Sequence, residues 1–385
     1  MAERLIVQGF RQSIGKHCET SALRKALDYN GFSLSEEMLL GLGGGIGFIY
    51  WYMKSMPSPF IGGRYGKGTD FPKNICKRIG VAVTVFETSS STKGYEELKA
   101  ILHRGEPAVV YGDIAYLPYF AVPEVAHFGG HAFVVYGLDE DKCEAYIYDR
   151  GRNPVTVTLT DLEKARGSKF PPFTPKHRLL KIEYPSQITN LEAGIIQSIQ
   201  ECCQNMLNPP LKNIGLAGIQ KWADVVIKWP DQFEGINLFG ALMNGFMYIE
   251  ISGTGGSAFR SMYAQFLEEA SLIVNQPALK EVSEMMHQSA TIWSDIASGL
   301  LPDSWTTLRR IKELIVEKNT LFEEQEPGAL EAMQKINEEL DDLMGKAVED
   351  LQKPPTFLTD VQQSILKCHE IETETFNTLN SIIKQ

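Results

Sequence analysis

A chain of 385 residues with 43 % hydrophobic content can bury a substantial core, and its length predicts two domains. A net charge of −11 works against non-specific binding to nucleic acid or anionic membranes and suits basic partners such as polyamines. No apolar run reaches the ~20 residues of a membrane span, and the opening Met1 to Val7 lacks a signal-peptide core. Six cysteines without framework or metal-ligand spacing predict a reduced, cytoplasmic protein with free thiols and no bound metal.

The stretch from His17 to Leu27 reads as a helix that begins at Cys18. Ala22, Leu23, Ala26 and Leu27 recur at helical spacing, and Asn30-Gly31 supplies a stop. A cysteine at a helix N-terminus feels the positive end of the macrodipole and unpaired N–H groups, which favour thiolate and make it a nucleophile. The plain alternative is a buried cysteine that only packs. Ser33-Leu34-Ser35-Glu36 then opens a short helix through Leu40 with a capping-box pattern.

The glycine-rich run from Gly41 to Phe48 lacks the Lys-Ser/Thr ending of a phosphate-binding loop, and no strand precedes it. Its glycines predict positive φ angles and close backbone approach beside the Cys18 helix, which makes Gly44 and Gly45 candidate substrate contacts. The aromatic run Phe48, Tyr50, Trp51 and Tyr52 packs in the core or lines a pocket, with Tyr50 the pocket candidate.

Further on, Val81 to Phe86 and Pro107 to Tyr111 read as strands, with an amphipathic helix from Tyr95 to Arg104 between them. Gly130 to Tyr136 and Ala145 to Asp149 form a hairpin across the polar turn Asp139 to Lys142. Val155 to Leu159 and Leu179 to Tyr184 are further strands of the same antiparallel sheet. A helical start followed by a sheet is an α+β domain, here 1–186. Beyond it the periodicity is helical over 191–207, 215–229, 257–275, 278–298, 305–325, 328–351 and 358–384. That predicts an all-α domain over 187–385, whose glycine cluster Gly253 to Ser257 starts a helix from an unusual turn.

Thiol chemistry needs a base, and a third group to hold that base in one tautomer. His131 opens a strand, and pairing across the hairpin sets it within one register step of Asp149, close enough for a carboxylate to orient an imidazole. His127 is the alternative base. His17, beside Cys18, is a supporting or substrate contact.

The order of an early cysteine at a helix start, a histidine on a sheet over a hundred residues later and an Asp on the next strand resembles the papain-like superfamily. That resemblance implies Gln12, six residues before Cys18, as an oxyanion donor alongside the Cys18 N–H, with Gln8 as its competitor. A closer resemblance lies in His-Cys-Glu-Thr-Ser-Ala-Leu-Arg (17–24), Gly-Leu-Gly-Gly-Gly-Ile-Gly-Phe (41–48) and Gly-Gly-His-Ala-Phe-Val-Val-Tyr-Gly (129–137). These look like the butirosin biosynthesis protein H family. Gly-Thr-Gly-Gly-Ser-Ala-Phe-Arg and the following Phe-Leu-Glu-Glu-Ala (253–270) are similar to the helical domain that follows in such proteins.

The resemblance implies an acyltransferase without a cofactor. An acyl group leaves a carrier-protein thioester, rests on Cys18 and passes to an amine of a small molecule, with His131 as base and acid and Asp149 as its orienter. A cysteine peptidase or amidase with the same triad is the second reading, and a non-catalytic binding module on the same fold is the third. Arg64, Lys67, Lys73, Lys77 and Arg78 form a candidate docking patch for an acidic carrier protein, with a solvated loop as the alternative. The long charged helices near the C-terminus allow a homodimer without requiring one.

Overall fold

The computed structural model describes residues 3–64, 66, 68–123 and 125–384. The first half contains β1 (Arg4–Ile6), α1 (Cys18–Tyr29), α2 (Glu36–Leu42), β2 (Ile49–Trp51), β3 (Phe60–Gly62), α3 (Asp70–Arg78), β4 (Ala82–Phe86) and α4 (Ser91–His103). There follow β5 (Ala108–Gly112), β6 (His131–Asp139), β7 (Glu144–Tyr148), β8 (Val155–Thr158), α5 (Leu159–Gly167) and β9 (Leu179–Glu183). The remainder is helical: α6 (Leu191–Leu207), α7 (Gly215–Val226), α8 (Trp229–Gln232), α9 (Ile236–Phe246), α10 (Arg260–Ile273), α11 (Ala278–Leu300), α12 (Thr306–Glu324), α13 (Ala329–Asp350) and α14 (Leu358–Ile383).

Contacts divide the chain into two compact units, each assembled from three stretches. The first comprises Met1–Leu39, Gly68–Thr189 and Lys318–Asn337; the second comprises Leu40–Lys67, Asn190–Glu317 and Glu338–Gln385. Each unit thus takes segments from both sides of residue 186.

The first unit is built on an antiparallel sheet of order β4-β9-β5-β6-β7-β8, with β1 also paired to β6. Its central strands β5 and β6 are almost continuously apolar and buried, as strands covered on both sides must be. Helix α1 packs on β5 and β6 through a buried stripe that includes Leu23, Ala26 and Leu27. The expected helix and strands are present with edges shifted by a few residues, save that strand 155–159 gives way early. Thr158 accepts the Asp161 N–H at 3.0 Å and caps α5 instead.

The hairpin of β6 and β7 carries a correction to the expected register. Val134 faces Tyr148 and Val135 faces Ile147, but Gly137 faces Tyr146, so Tyr136 is bulged out of the ladder. Continued one step, Phe133 faces Asp149, and His131 lies two residues further along the same face of the sheet. A single-residue offset would have put His131 and Asp149 on opposite faces. The bulge sets them as diagonal neighbours on one face, within reach of each other's side chains.

Among its described residues the second unit has helices and the hairpin of β2 and β3. Phe48, Trp222 and Trp293 form a buried aromatic triangle with centroids 5.6–5.9 Å apart. The glycine cluster does start a helix from an unusual turn. Ser257, Ala258 and Phe259 all take left-handed φ (49°, 47° and 72°) before α10 begins. Left-handed backbone costs a non-glycine residue about 1–2 kcal/mol. Arg260 holds the turn by donating to the carbonyls of Ala258 (2.9 Å) and Gly47 (3.0 Å). Its guanidinium forms a doubly hydrogen-bonded pair with Glu372 at 2.8 and 3.0 Å, and both side chains are fully buried. Glu372 also accepts from Ser289 (2.8 Å) and Trp293 Nε1 (2.7 Å).

Candidate active site

Cys18 is the first residue of α1, preceded by His17 in extended conformation. His17 caps the helix: its Nδ1 accepts the Thr20 N–H at 3.4 Å, and its ring meets Phe71 edge-on. The cap is fastened by Glu36, a buried carboxylate at the start of α2. Glu36 accepts the backbone N–H groups of Lys16 and His17 at 3.0–3.2 Å, accepts the Thr20 hydroxyl at 3.1 Å, and pairs with Arg24 at 3.4 Å. His17 therefore sits where a helix cap sits, buried at the turn that presents Cys18. Glu36 escaped the sequence reading, which used Ser33 to Glu36 only as a helix start.

Two turns along α1 from Cys18 lies Lys25, buried with its Nζ hydrogen-bonded to Ser21. Burial pushes its ammonium down to about 8, against the pull of Glu36 and Asp149.

His131 and Asp149 meet on the same sheet face. Nε2 of His131 lies 2.7 Å from Oδ2 of Asp149, and both residues are buried. The Cys18 thiol, half-exposed, also acts on this imidazole. Burial opposes the imidazolium, but the Asp149 charge and hydrogen bond, and then Cys18, outweigh it and push His131 up to about 9. Burial likewise opposes the Asp149 carboxylate, yet His131, Arg150 and the Tyr119 hydroxyl hold it below its ordinary value.

The other candidates are placed differently. The Gln12 amide nitrogen donates to the backbone carbonyls of Asp149 (3.2 Å) and Gly151, so it sits at the triad's edge with its hydrogens engaged. Gln12 Oε1 is buried without a partner among the described residues. Gln12, Ser13, Lys25, Asp28 and Tyr29 line a cavity of about 340 Å³. The Gln8 amide donates to the Ile6 carbonyl at 3.3 Å, and the Gln8 carbonyl accepts the Tyr29 hydroxyl at 3.1 Å.

His127 makes a second histidine–carboxylate pair, its Nδ1 2.9 Å from Asp113 and its ring stacked on Phe170. Asp113 also accepts the Phe128 N–H and the Ser168 hydroxyl, so this pair ties down the loop ahead of β6. Gly44, Gly45 and Tyr50 belong to the second unit. Gly44 and Gly45 do take positive φ, and a Cβ on Gly45 would meet Tyr263 at 2.6 Å, so the glycine admits a core ring. Tyr50 is buried and accepts from Trp229 Nε1 at 3.2 Å.

The candidate docking patch draws on both units. Lys73 and Lys77 are exposed on α3, but Arg78 is buried, Arg64 lies in the second unit over Phe259, and Lys67 lies outside the described residues. Among the described residues no cluster of three His, Cys, Asp or Glu side chains could hold a metal ion. None of the described helices is long and apolar enough to cross a membrane.

Residues 17–150 match the family model described as butirosin biosynthesis protein H, N-terminal. Over that stretch, about a third of its length, the chain is similar to the butirosin biosynthesis protein H family. A second model, a domain of unknown function (DUF4872), matches residues 160–321. No curated protein matches the chain. The N-terminal match begins one residue before Cys18 and ends one residue after Asp149, so Cys18, His131 and Asp149 all fall inside the family's region.

Proposed function

We propose that this protein is a papain-like cysteine acyltransferase of small-molecule biosynthesis, taking an acyl group from a carrier-protein or coenzyme-type thioester and delivering it to an amine. The observation that carries the reading is a buried imidazole held at Nε2 by a buried carboxylate at 2.7 Å and raised further by a half-exposed thiol at a helix start. The similarity of residues 17–150 to a family named for butirosin biosynthesis supports a biosynthetic rather than a degradative setting.

In the first half-reaction His131 accepts the Cys18 proton, the sulfur attacks the thioester carbonyl, and the donor thiol departs with that proton. In the second, the amine attacks the acyl-enzyme, His131 takes its proton, and Cys18 leaves as the thiol. Asp149 keeps the imidazole oriented through both steps. The Cys18 N–H, at the end of a helix whose first amides lack intrahelical partners, is suited to the oxyanion. Gln12 joins it only after releasing the carbonyls of Asp149 and Gly151.

A thiol leaving group needs little protonation, which favours thioester donors for a Cys–His pair. Hydrolysis by the same triad is the second reading, separated from the first only by the acceptor.

Intact-protein mass after incubation with a simple acyl thioester tests both. An adduct on wild type but not on Cys18→Ala, discharged faster by added amine than by water, is the expected result. Discharge by water alone makes the protein a hydrolase, and an adduct that persists in Cys18→Ala removes the mechanism.

A further inference from the structure

The His131–Asp149 pair is braced by a part of the chain far from it in sequence. Tyr119 Oη donates to Asp149 Oδ2 at 2.8 Å, the same oxygen that His131 Nε2 meets at 2.7 Å. The other carboxylate oxygen, Oδ1, accepts the Arg150 N–H at 2.7 Å. Tyr119 stands in a 3-10 turn, Pro118–Phe120, which ends at Ala121 in left-handed conformation (φ 47°). A non-glycine residue holds that conformation only where its surroundings over-determine it.

Here the surroundings come from the 318–337 segment of the same unit. The Ala121 carbonyl accepts from Lys318 Nζ and from Asn337 Nδ2, each at 2.7 Å, and these two side chains bond each other at 2.6 Å. One helical turn beyond Lys318, Phe322 stacks on Phe120 at 4.7 Å, and Phe120 meets the His131 ring edge-on at 4.9 Å. The Arg150 guanidinium lies over the Phe322 ring at 5.0 Å. The Glu323 carbonyl accepts the Arg152 N–H at 2.7 Å, so the strand end carrying Asp149 is tied to the same helix.

We propose that Tyr119, Lys318 and Asn337 are positioning residues: the 318–337 segment clamps the turn at Ala121, so that Tyr119 shares the Asp149 carboxylate and Phe120 seals the His131 ring. This rests on the reading that the His131–Asp149 pair serves Cys18. Two donors on one oxygen weaken the pull of Asp149 on the imidazolium, so the clamp holds His131 lower than Asp149 alone would set it. Releasing the clamp frees that oxygen and lets water reach the ring, and both changes favour the charged imidazole. The groups facing His131 are Cys18 and Asp149, with Tyr119 and Arg150 acting through Asp149.

The test is a nitrogen-detected NMR titration of the histidine rings in the full chain, comparing wild type with Tyr119→Phe, Lys318→Met and, as control, Lys312→Met. Lys312 is on α12 but pairs with Asp303, away from the clamp. The expected result is an upward shift of His131 in Tyr119→Phe and Lys318→Met, larger than any shift among the other histidines, and none in Lys312→Met.

An unmoved His131 in both clamp variants overturns the proposal, even if Lys318→Met melts at lower temperature, because a merely structural brace would do that much. Tyr119→Phe keeps the ring and its packing, so it remains informative if Lys318→Met folds poorly. The titration uses resting protein and needs no acyl donor. A moved titration with no acyl-enzyme on wild type would therefore remove the proposed function and leave the clamp, while the opposite pair of results would do the reverse.

Discussion

Two buried carboxylates, Asp149 in the sheet-containing unit and Glu372 in the helical one, are built from the same parts and end in different roles. Each is paired with a cation and receives an aromatic donor, Tyr119 in one case and Trp293 in the other. Glu372 faces Arg260, a cation that keeps its charge, and both Nη1 donors of the guanidinium are spent on the carbonyls of Ala258 and Gly47. Asp149 instead faces a titratable imidazole, which a half-exposed thiol also raises. A buried ion pair locks a fold when its cation is saturated, and arms a site when its cation is titratable and has one side free.

Substitutions at the two centres should separate these roles. Cys18→Ala is expected to have the largest effect, abolishing acyl-enzyme formation and transfer in a mass-spectrometric assay while the protein still folds. Asp149→Asn keeps the shape but loses the charge that orients His131, and should lower the rate on the order of 10³–10⁴-fold in single-turnover assays. At the other centre, Arg260→Met strands Glu372 as an uncompensated buried charge, and urea unfolding should show a loss of about 3–5 kcal/mol.

The two pairs should also differ in their response to alkali. His131 is raised from 6.5 to about 9, so its contribution to stability is complete below pH 6.5 and fades as pH rises through about 9. Asp149 is held below its ordinary 3.8, so its contribution is present above that pH and is lost as acid protonates it at lower pH. Unfolding followed between pH 6 and about 10 should show a slope at the alkaline end that His131→Gln removes and Arg260→Met leaves. The smallest effect belongs to the helix start, where His17→Ala removes a cap and should cost about 1 kcal/mol by thermal melting.

The residues that meet at the candidate site announced themselves through local pattern. Cys18 was visible because a helix period begins there, and His131 and Asp149 because alternation marks where strands start and stop. Their relation was visible only to within one residue, since the bulge at Tyr136 leaves no period to read. Glu36, Tyr119, Lys318 and Asn337 were illegible for a different reason. Each acts through a partner distant in sequence, and an isolated polar residue in a helix or turn carries no sign of that partner.

Missed elements have equally physical causes. Helix α9 is apolar nearly all round and contains two glycines, so no polar face marks its period. Helix α3 hides behind a proline in its first turn. Strands β2 and β3 are three residues each, too short to alternate visibly.

The bulge at Tyr136 also bears on how relatives of this chain can vary in length. Chain between the bulge and the turn at Glu140 to Cys143 can grow or shrink without altering which sheet face His131 occupies, because the bulge absorbs the count. Between His131 and Val135 there is no such buffer. One inserted or deleted residue there reverses the parity of the strand and turns the imidazole away from both Asp149 and Cys18. Natural sequences that keep the chemistry should therefore tolerate length changes at the hairpin tip and show none, or only paired ones, in the five residues beginning at His131.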